Sequence, residues 1–122
     1  IPSDTLQNTV SCAQKSSLAR IVCAESPAEV EHFAEFDPDF LAFEPPELIG
    51  NSSKSVSSEA PESIKQSIKV SRGIPVLVGA GINSAKDVEI ALDLGAQGFL
   101  VASAIVKNSH PEKKLRDFFS VM

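Results

Sequence analysis

The stretch VLVGAG at residues 76–81 decides the fold, because three apolar residues run directly into three small ones. The same form returns downstream in FLVASA at residues 99–104. A short, continuous apolar run is typical of a strand that is buried on both faces of a parallel sheet. Small residues allow the backbone to turn tightly from such a strand into a helix. Each stretch therefore predicts a strand, a turn and a helix in succession.

The rest of the chain repeats this alternation. Strands are predicted at residues 19–24, 40–43, 75–78 and 98–102. Helices are predicted from capping residues and from apolar residues at helical spacing, beginning near residues 3, 26, 61, 84 and 111. The resulting order is one helix followed by four strand-helix units. This order predicts an α/β fold in which a parallel sheet is covered by helices, as a single unit over residues 1–122.

Composition limits the class of protein. The 122 residues are 43% hydrophobic and 22% charged, as in one ordinary soluble domain. A net charge of -5, with seven Phe and no Trp or Tyr, argues against a nucleic-acid partner. No apolar run is long enough to span a membrane and the start does not resemble a signal peptide, so we expect a cytoplasmic protein. The first residue is Ile1 rather than Met, which favours a chain that begins inside a longer reading frame.

The cysteines and histidines give little sign of a metal site. Cys12 and Cys23 lack the spacing of metal ligands, so no metal and no cofactor is predicted. Cys23 lies inside an apolar strand, which predicts a buried packing residue. His32 and His110 are expected to lie on polar surfaces rather than in a metal site or a catalytic triad.

The two turns of small residues admit two interpretations. Exposed N–H groups at such turns bind anions such as phosphate, and small side chains let a ligand approach the backbone closely. Two adjacent turns would then hold one phosphate together. Alternatively, the small residues serve only the tight packing of strand against helix. The sequence favours neither interpretation, because Gly-x-Gly at residues 79–81 is by itself a weak signal.

Glu44 is a candidate general base. It follows a predicted buried strand, and ligands bind at the carboxyl ends of parallel strands. The connection after it, at residues 45–60, shows neither helical nor strand periodicity. Its first half is stiff, whereas residues 51–58 are polar and predicted to be flexible, as a closing lid requires. The alternative is a Ser-rich surface loop with Glu44 as a solvated carboxylate.

Three motifs occur in order along essentially the whole chain. They are LAFEPPELIG at residues 41–50 followed by SVS at 55–57, VLVGAGI at 76–82, and LVAS at 100–103. At these motifs the sequence resembles the archaeal-type triosephosphate isomerases, but only their C-terminal half. A complete (β/α)₈ barrel needs about 250 residues. The resemblance implies half of such a barrel, with about four parallel strands equivalent to the fifth to eighth and with covering helices.

The resemblance also implies roles for particular residues. Glu44 matches the carboxylate that moves a proton between adjacent carbons of dihydroxyacetone phosphate and glyceraldehyde 3-phosphate, a step of glycolysis and gluconeogenesis. The matched substrate and phosphate positions are Ile49 and Gly50 in the lid, and Gly81, Ala102 and Ser103 in the turns. The family's Asn-x-Lys and its His lie upstream of the matched region. Their absence predicts that the chain alone has little or no activity.

Two kinds of partner follow from this interpretation. The ligand is a triose phosphate or inorganic phosphate. Half of a barrel leaves an apolar sheet face open and two strand edges unpaired, so we expect either a homodimer or a missing N-terminal half. The alternative function is a non-catalytic phosphate-binding or structural half-barrel that dimerises.

Overall fold

The computed structural model describes residues 1–51 and 53–122. Within those residues, four parallel strands form one sheet in the order β1-β2-β3-β4. They are β1 (Ile21–Ala24), β2 (Phe40–Phe43), β3 (Val76–Val78) and β4 (Gly98–Phe99). Each strand pairs with the next strand of the chain, and a helix covers each crossover. The predicted α/β fold with a parallel sheet is confirmed.

Two helices begin at their predicted capping serines, whereas the first helix begins at Ser3 without a side-chain cap. The side chain of Ser26 accepts a hydrogen bond from the N–H of Glu29, and Ser84 forms a capping box with Asp87. Among the described residues, no helix is long and apolar enough to cross a membrane. The helices are α1 (Ser3–Lys15), α2 (Pro27–Phe33), α3 (Val56–Glu59), α4 (Pro61–Val70), α5 (Ala85–Asp93), α6 (Ser103–Val106) and α7 (Pro111–Phe119).

The core lies between the sheet and its helices. Alternate residues of each strand face the helices, so residues aligned across the sheet share one apolar layer. Full burial of one Val, Leu, Ile or Phe side chain contributes about 1.5–3 kcal/mol, which makes this layer the main source of stability. Its buried strand residues are Val22, Leu41, Phe43, Val76 and Val78, and its buried helix residues include Val30, Ile64, Val88 and Phe118.

The opposite face of the sheet is open. Ile21 is 50% exposed and Phe40 is 36% exposed, although both lie in strands. Cys23 is also exposed, so the prediction that it is a buried packing residue is wrong. The physical reason is the pleat: Cys23 points away from the face that carries Val22 and Ala24, toward the side that no helix covers. We call this surface, with Ile21, Cys23 and Phe40, the open face.

Three predicted strands are shorter than expected, among them β3, which begins at Val76 rather than at residue 75. β1 begins at Ile21 rather than at residue 19, and β4 ends at Phe99 rather than at residue 102. Beyond β4 one more ladder bond forms, from the N–H of Leu100 to the carbonyl of Val78 at 2.8 Å. The chain then turns into α6. An edge strand pairs on one side only, so less holds it in extended form.

The connection after β2 is more ordered than predicted. A 3-10 turn occupies Pro46–Leu48, and α3 lies near the end of the connection. The prediction of a flexible polar stretch at residues 51–58 is wrong for Ser55, Val56 and Ser57, which are all buried. The serine side chains satisfy backbone and carboxylate partners instead of facing water. Ser52, which belongs to the same stretch, lies outside the described residues.

Candidate active site

One cavity at the carboxyl ends of the strands brings the predicted site residues together. It has a volume of about 170 Å³. Because the strands are parallel and in register, the segments after β2, β3 and β4 meet at the same edge of the sheet. We call the cavity at this edge the turn cavity. Its lining includes all six residues singled out from the sequence, Glu44, Ile49, Gly50, Gly81, Ala102 and Ser103.

Glu44 is held at this edge by the backbone on both sides. Its N–H donates to the carbonyl of Ala24 at 2.9 Å, and Pro45 after it is buried. Gly79 of the next strand end lies directly against the carboxylate, and its N–H donates to the carbonyl of Phe43 at 3.0 Å. A Cβ at Gly79 would overlap Oε1 of Glu44 and lie 2.6 Å from its Cγ. The sequence analysis treated Gly79 only as part of a small-residue turn and missed this contact.

Cys23 lies beside Glu44 on the open-face side. Both residues line a second cavity of about 330 Å³ along the edge of β1. Loss of solvent around the thiol and the negative charge of Glu44 raise the pKa of Cys23 to about 11. The thiol therefore stays neutral at physiological pH, and the carboxylate has no anionic neighbour at this position. Glu44 thus lies between the turn cavity and the open face.

The turn after β3 has an unusual backbone. Ala80 and Gly81 both have φ of 68°, in the left-handed region. Such a conformation costs a non-glycine residue about 1–2 kcal/mol, so the surrounding contacts must hold Ala80 in place. One of them is the hydrogen bond from the N–H of Val56 to the carbonyl of Ala80, at 3.1 Å. The end of the lid connection therefore supports this turn.

Several backbone N–H groups in the lining of the turn cavity have no backbone partner. In the part of the chain that the structure describes, seven of its ten lining residues donate no backbone hydrogen bond. Five of the seven are Gly, Ala or Ser, whose small or absent side chains leave the backbone accessible to a ligand. An anion with several oxygens fits such a group of donors, since each oxygen accepts more than one hydrogen bond. The seven include Gly50, Gly81, Ala102 and Ser103, which were singled out from the sequence.

A cavity of about 480 Å³ adjoins the turn cavity and adds positive charge to it. Gly50 and Ser103 line both cavities, and Lys107 and Lys114 line this one. Within the described residues, neither lysine forms an ion pair. In a chain with a net charge of -5, two uncompensated lysines here favour an anionic ligand. The sequence analysis singled out neither lysine and missed this position.

The histidines do not line the turn cavity. His32 shares a 2.7 Å hydrogen bond with the hydroxyl of Ser3, and His110 lines a separate surface cavity with Pro111. Over residues 1–51 and 53–122, no group of three or more His, Cys, Asp or Glu side chains is placed to hold a metal ion. The chemistry of the turn cavity therefore rests on one carboxylate and a set of backbone donors.

Solved structures with the same arrangement are (β/α)₈ barrels, and the chain matches half of each. The tryptophan synthase α-subunit of Pyrococcus furiosus superposes with a TM-score of 0.78 at 16% identity, over 98% of this chain and 52% of that one. An archaeal fructose 1,6-bisphosphate aldolase superposes with a TM-score of 0.74 at 18% identity, over 95% of this chain and 49% of that one. At this identity the likeness concerns the fold, which is half of a barrel.

Sequence relatives are more specific. The family model described as triosephosphate isomerase matches residues 2–120. The triosephosphate isomerase of Thermoplasma volcanium is 43% identical over 92% of this chain, and that of Cenarchaeum symbiosum is 39% identical over 100% of it. The chain spans about half the length of these relatives, 53% and 56% respectively. It belongs to the triosephosphate isomerase family.

Proposed function

We propose that the chain supplies the proton-transfer base and the phosphate-binding turns of a triosephosphate isomerase. The observation that carries the proposal is the turn cavity, in which Glu44 and the turns after β3 and β4 face one space. The cavity combines a carboxylate that can take a proton with backbone donors that can hold a phosphate. These two features match the two ends of a triose phosphate, which are the carbons that exchange a proton and the phosphate group.

The chemistry follows from this arrangement. Glu44 removes a proton from the hydroxyl-bearing carbon beside the carbonyl group of dihydroxyacetone phosphate, which leaves an enediolate. After the hydroxyl proton has passed to the former carbonyl oxygen, Glu44 returns its proton to the former carbonyl carbon to give glyceraldehyde 3-phosphate. The backbone donors at Gly81, Ala102 and Ser103 hold the phosphate, so that the carbons are fixed near the carboxylate. Ile49, which is 60% exposed at the tip of the connection, covers the substrate and excludes water when the lid closes.

Among the described residues, no Lys, Arg or His side chain lines the turn cavity to stabilise the negative charge that develops on the substrate oxygen. In the family this is the work of a Lys and a His that lie outside the matched half. Removal of one preorganised donor typically costs about 10²–10³ in rate, so loss of both leaves the isolated half essentially inactive. Binding of phosphate by the turns does not depend on these groups. Binding and turnover therefore separate in this chain.

The expected result for the isolated chain is phosphate binding without turnover. In an NMR titration of the labelled chain with 2-phosphoglycolate, the amide signals of Gly81 and Ser103 shift together and saturate. Gly73 serves as a control, because it is an exposed turn glycine with no neighbouring heavy atom within 4 Å of its Cβ position. A titration in which Gly81 and Ser103 do not shift would contradict the proposal.

The open face supports a second candidate function, a half-barrel that dimerises without catalysis. Apolar side chains are exposed along both edges of the sheet, including Ile21 beside β1 and Phe119 and Met122 beside β4. A two-fold axis would place β1 of one copy next to β4 of the other and cover both edges. Burial of one such side chain contributes about 1.5–3 kcal/mol, so a few of them suffice for association.

Light scattering at micromolar concentration tests the second candidate. We expect a mass of twice 13.0 kDa for the isolated chain. Ile21→Asp places a charge on the open face and is expected to give a monomer. Val106→Asp is the matched control, because Val106 is 76% exposed on α6 and lines neither edge cavity. A wild-type chain with the mass of one copy would exclude the dimer.

A further inference from the structure

The carboxylate of Asp87 joins two segments that are far apart in the sequence. Its Oδ2 accepts hydrogen bonds from the N–H of Asn83 at 3.1 Å and from the N–H and hydroxyl of Ser84 at 2.8 and 2.7 Å. Its Oδ1 accepts one from the hydroxyl of Ser55 at 2.6 Å, within the range of charge-assisted hydrogen bonds between a hydroxyl and a carboxylate. The backbone carbonyl of Asp87 also accepts a hydrogen bond from the hydroxyl of Ser57, at 2.7 Å.

These bonds exceed what helix capping requires. The capping box of α5 needs only Ser84 and Asp87, and Oδ2 of Asp87 satisfies it. The bonds from Ser55 and Ser57 are additional and reach the base of the lid connection, where α3 begins. Desolvation raises the pKa of Asp87, but the hydrogen bonds from Ser55, Ser84 and Asn83 outweigh it and lower the pKa below its ordinary value.

Two further bonds connect the same segments, and a third lies within the turn. The side-chain amide of Asn83 donates to the carbonyl of Asn51 at 2.8 Å and, within the turn, to that of Gly81 at 2.6 Å. The N–H of Val56 donates to the carbonyl of Ala80 at 3.1 Å. The lid connection is therefore tied to the left-handed turn directly at Ala80 and, through Asn83, at Gly81. A shift of the lid base would move the N–H of Gly81.

We propose that Asp87 is a positioning residue that holds the lid base against the turn of Ala80 and Gly81 and so fixes the phosphate donors of that turn. The part concerning phosphate rests on the proposed function, whereas the part concerning the lid base does not. Asp87 does not line the turn cavity and acts through Ser55, Ser57 and the turn. Its carboxylate gives one rigid anchor to two segments that must keep a fixed separation while the tip of the lid moves.

Three serine variants of the 122-residue chain separate this role from helix capping. Ser55→Ala removes the bond to Asp87 and the N-cap of α3. Ser58→Ala disturbs the same α3 capping box but leaves Asp87 bonded to Ser55. Ser84→Ala removes the N-cap of α5 and one of the three hydrogen bonds to Oδ2 of Asp87, but it leaves the bond from Ser55 in place. The thermal midpoint of each variant reports the cost of the lost cap.

The readout is the dissociation constant for 2-phosphoglycolate together with amide hydrogen exchange at Val56 without ligand. We expect Ser55→Ala to weaken binding by about tenfold and to speed exchange at Val56, since a hydrogen bond to a charged group is lost. Ser58→Ala and Ser84→Ala are expected to stay within about twofold of the wild type, both in the dissociation constant and in the exchange rate at Val56. Asp87→Asn, which keeps the side-chain size, is expected to match Ser55→Ala in affinity and exchange rate. The variant that combines Ser55→Ala with Asp87→Asn is expected to bind 2-phosphoglycolate no more weakly than Asp87→Asn alone.

The outcomes distinguish the two proposals. Equal effects of Ser55→Ala and Ser58→Ala on affinity and on exchange would overturn the role of Asp87 and leave only helix capping. If the wild type does not bind 2-phosphoglycolate, the proposed function fails. The exchange rates at Val56 still decide whether Asp87 holds the lid base. If Ser55→Ala does not fold, the comparison of Asp87→Asn with Ser84→Ala decides the same question.

Discussion

Replacing Glu44 with Gln is expected to lower kcat by about 10²–10⁴-fold in a barrel completed with the N-terminal half of a family member. The amide keeps the size and the backbone contacts of the carboxylate but cannot take a proton from carbon. Affinity for 2-phosphoglycolate is expected to change little, because the proposed phosphate donors at Gly81 and Ser103 are unaltered. The measurement is a coupled isomerase assay on the completed barrel, with inhibition by 2-phosphoglycolate measured in parallel.

Glu47→Gln provides the matched control for this prediction. Glu47 carries the same carboxylate three positions further along the chain, is exposed, and does not line the turn cavity. Its replacement is expected to leave kcat within about twofold of the wild type. Equal turnover of Glu44→Gln and the wild type would remove Glu44 from the proton transfer.

Gly81→Ala is expected to cost about 1–3 kcal/mol of unfolding free energy and to abolish phosphate binding. Its Cβ would overlap the carbonyl oxygen of Lys54 and lie 3.0 Å from Cα of Ser55. Both contacts are with backbone, which cannot move aside as a side chain can. The φ of 68° adds strain of its own. Urea unfolding and a 2-phosphoglycolate titration measure the two effects.

Gly73→Ala isolates the conformational part of this effect. Gly73 also has a positive φ, of 85°, but nothing lies within 4 Å of its Cβ position. Its replacement is expected to cost only the backbone strain, about 1 kcal/mol, and to leave phosphate binding intact. If both alanine variants lose the same stability and both bind 2-phosphoglycolate, the contact between the lid base and Gly81 is not needed for phosphate binding.

The sequence predicted the alternation of elements because each element carries a local signal. The apolar run at residues 76–78 and the capping serines Ser26 and Ser84 mark strand and helix starts regardless of the rest of the chain. The parallel order followed from the continuous apolar character of the strands. The local signal was weaker at β4. This strand pairs with β3 alone and is only two residues long, Gly98–Phe99.

The location of the site was also predictable, but its supporting contacts were not. Parallel strands bring their carboxyl ends together, so Glu44 and the two turns had to meet at one edge. The hydrogen bond between Ser55 and Asp87 joins residues 32 positions apart, and no local sequence pattern predicts it. Alternation along β1 showed that Cys23 faces opposite to Val22, but not which of the two faces the helices cover.

The family assignment and the fold support different statements. Structural neighbours at 16–18% identity establish half of a barrel and nothing about substrate. The match to triosephosphate isomerase over residues 2–120 establishes the family. The contribution of the geometry is to place a carboxylate, free backbone donors and two lysines around adjoining cavities. Together they support the proposal that this half holds the phosphate and moves the proton.

Reconstitution of a barrel from two separate halves tests most directly whether this half binds the phosphate and supplies the base. The purified chain is mixed with a separately made N-terminal half of the Thermoplasma volcanium triosephosphate isomerase, and turnover is followed in a coupled assay. We predict turnover in the mixture, none above background in either half alone, and none in the mixture made with Glu44→Gln. A mixture whose halves associate by light scattering, yet which shows no turnover and no binding of 2-phosphoglycolate, would contradict the account.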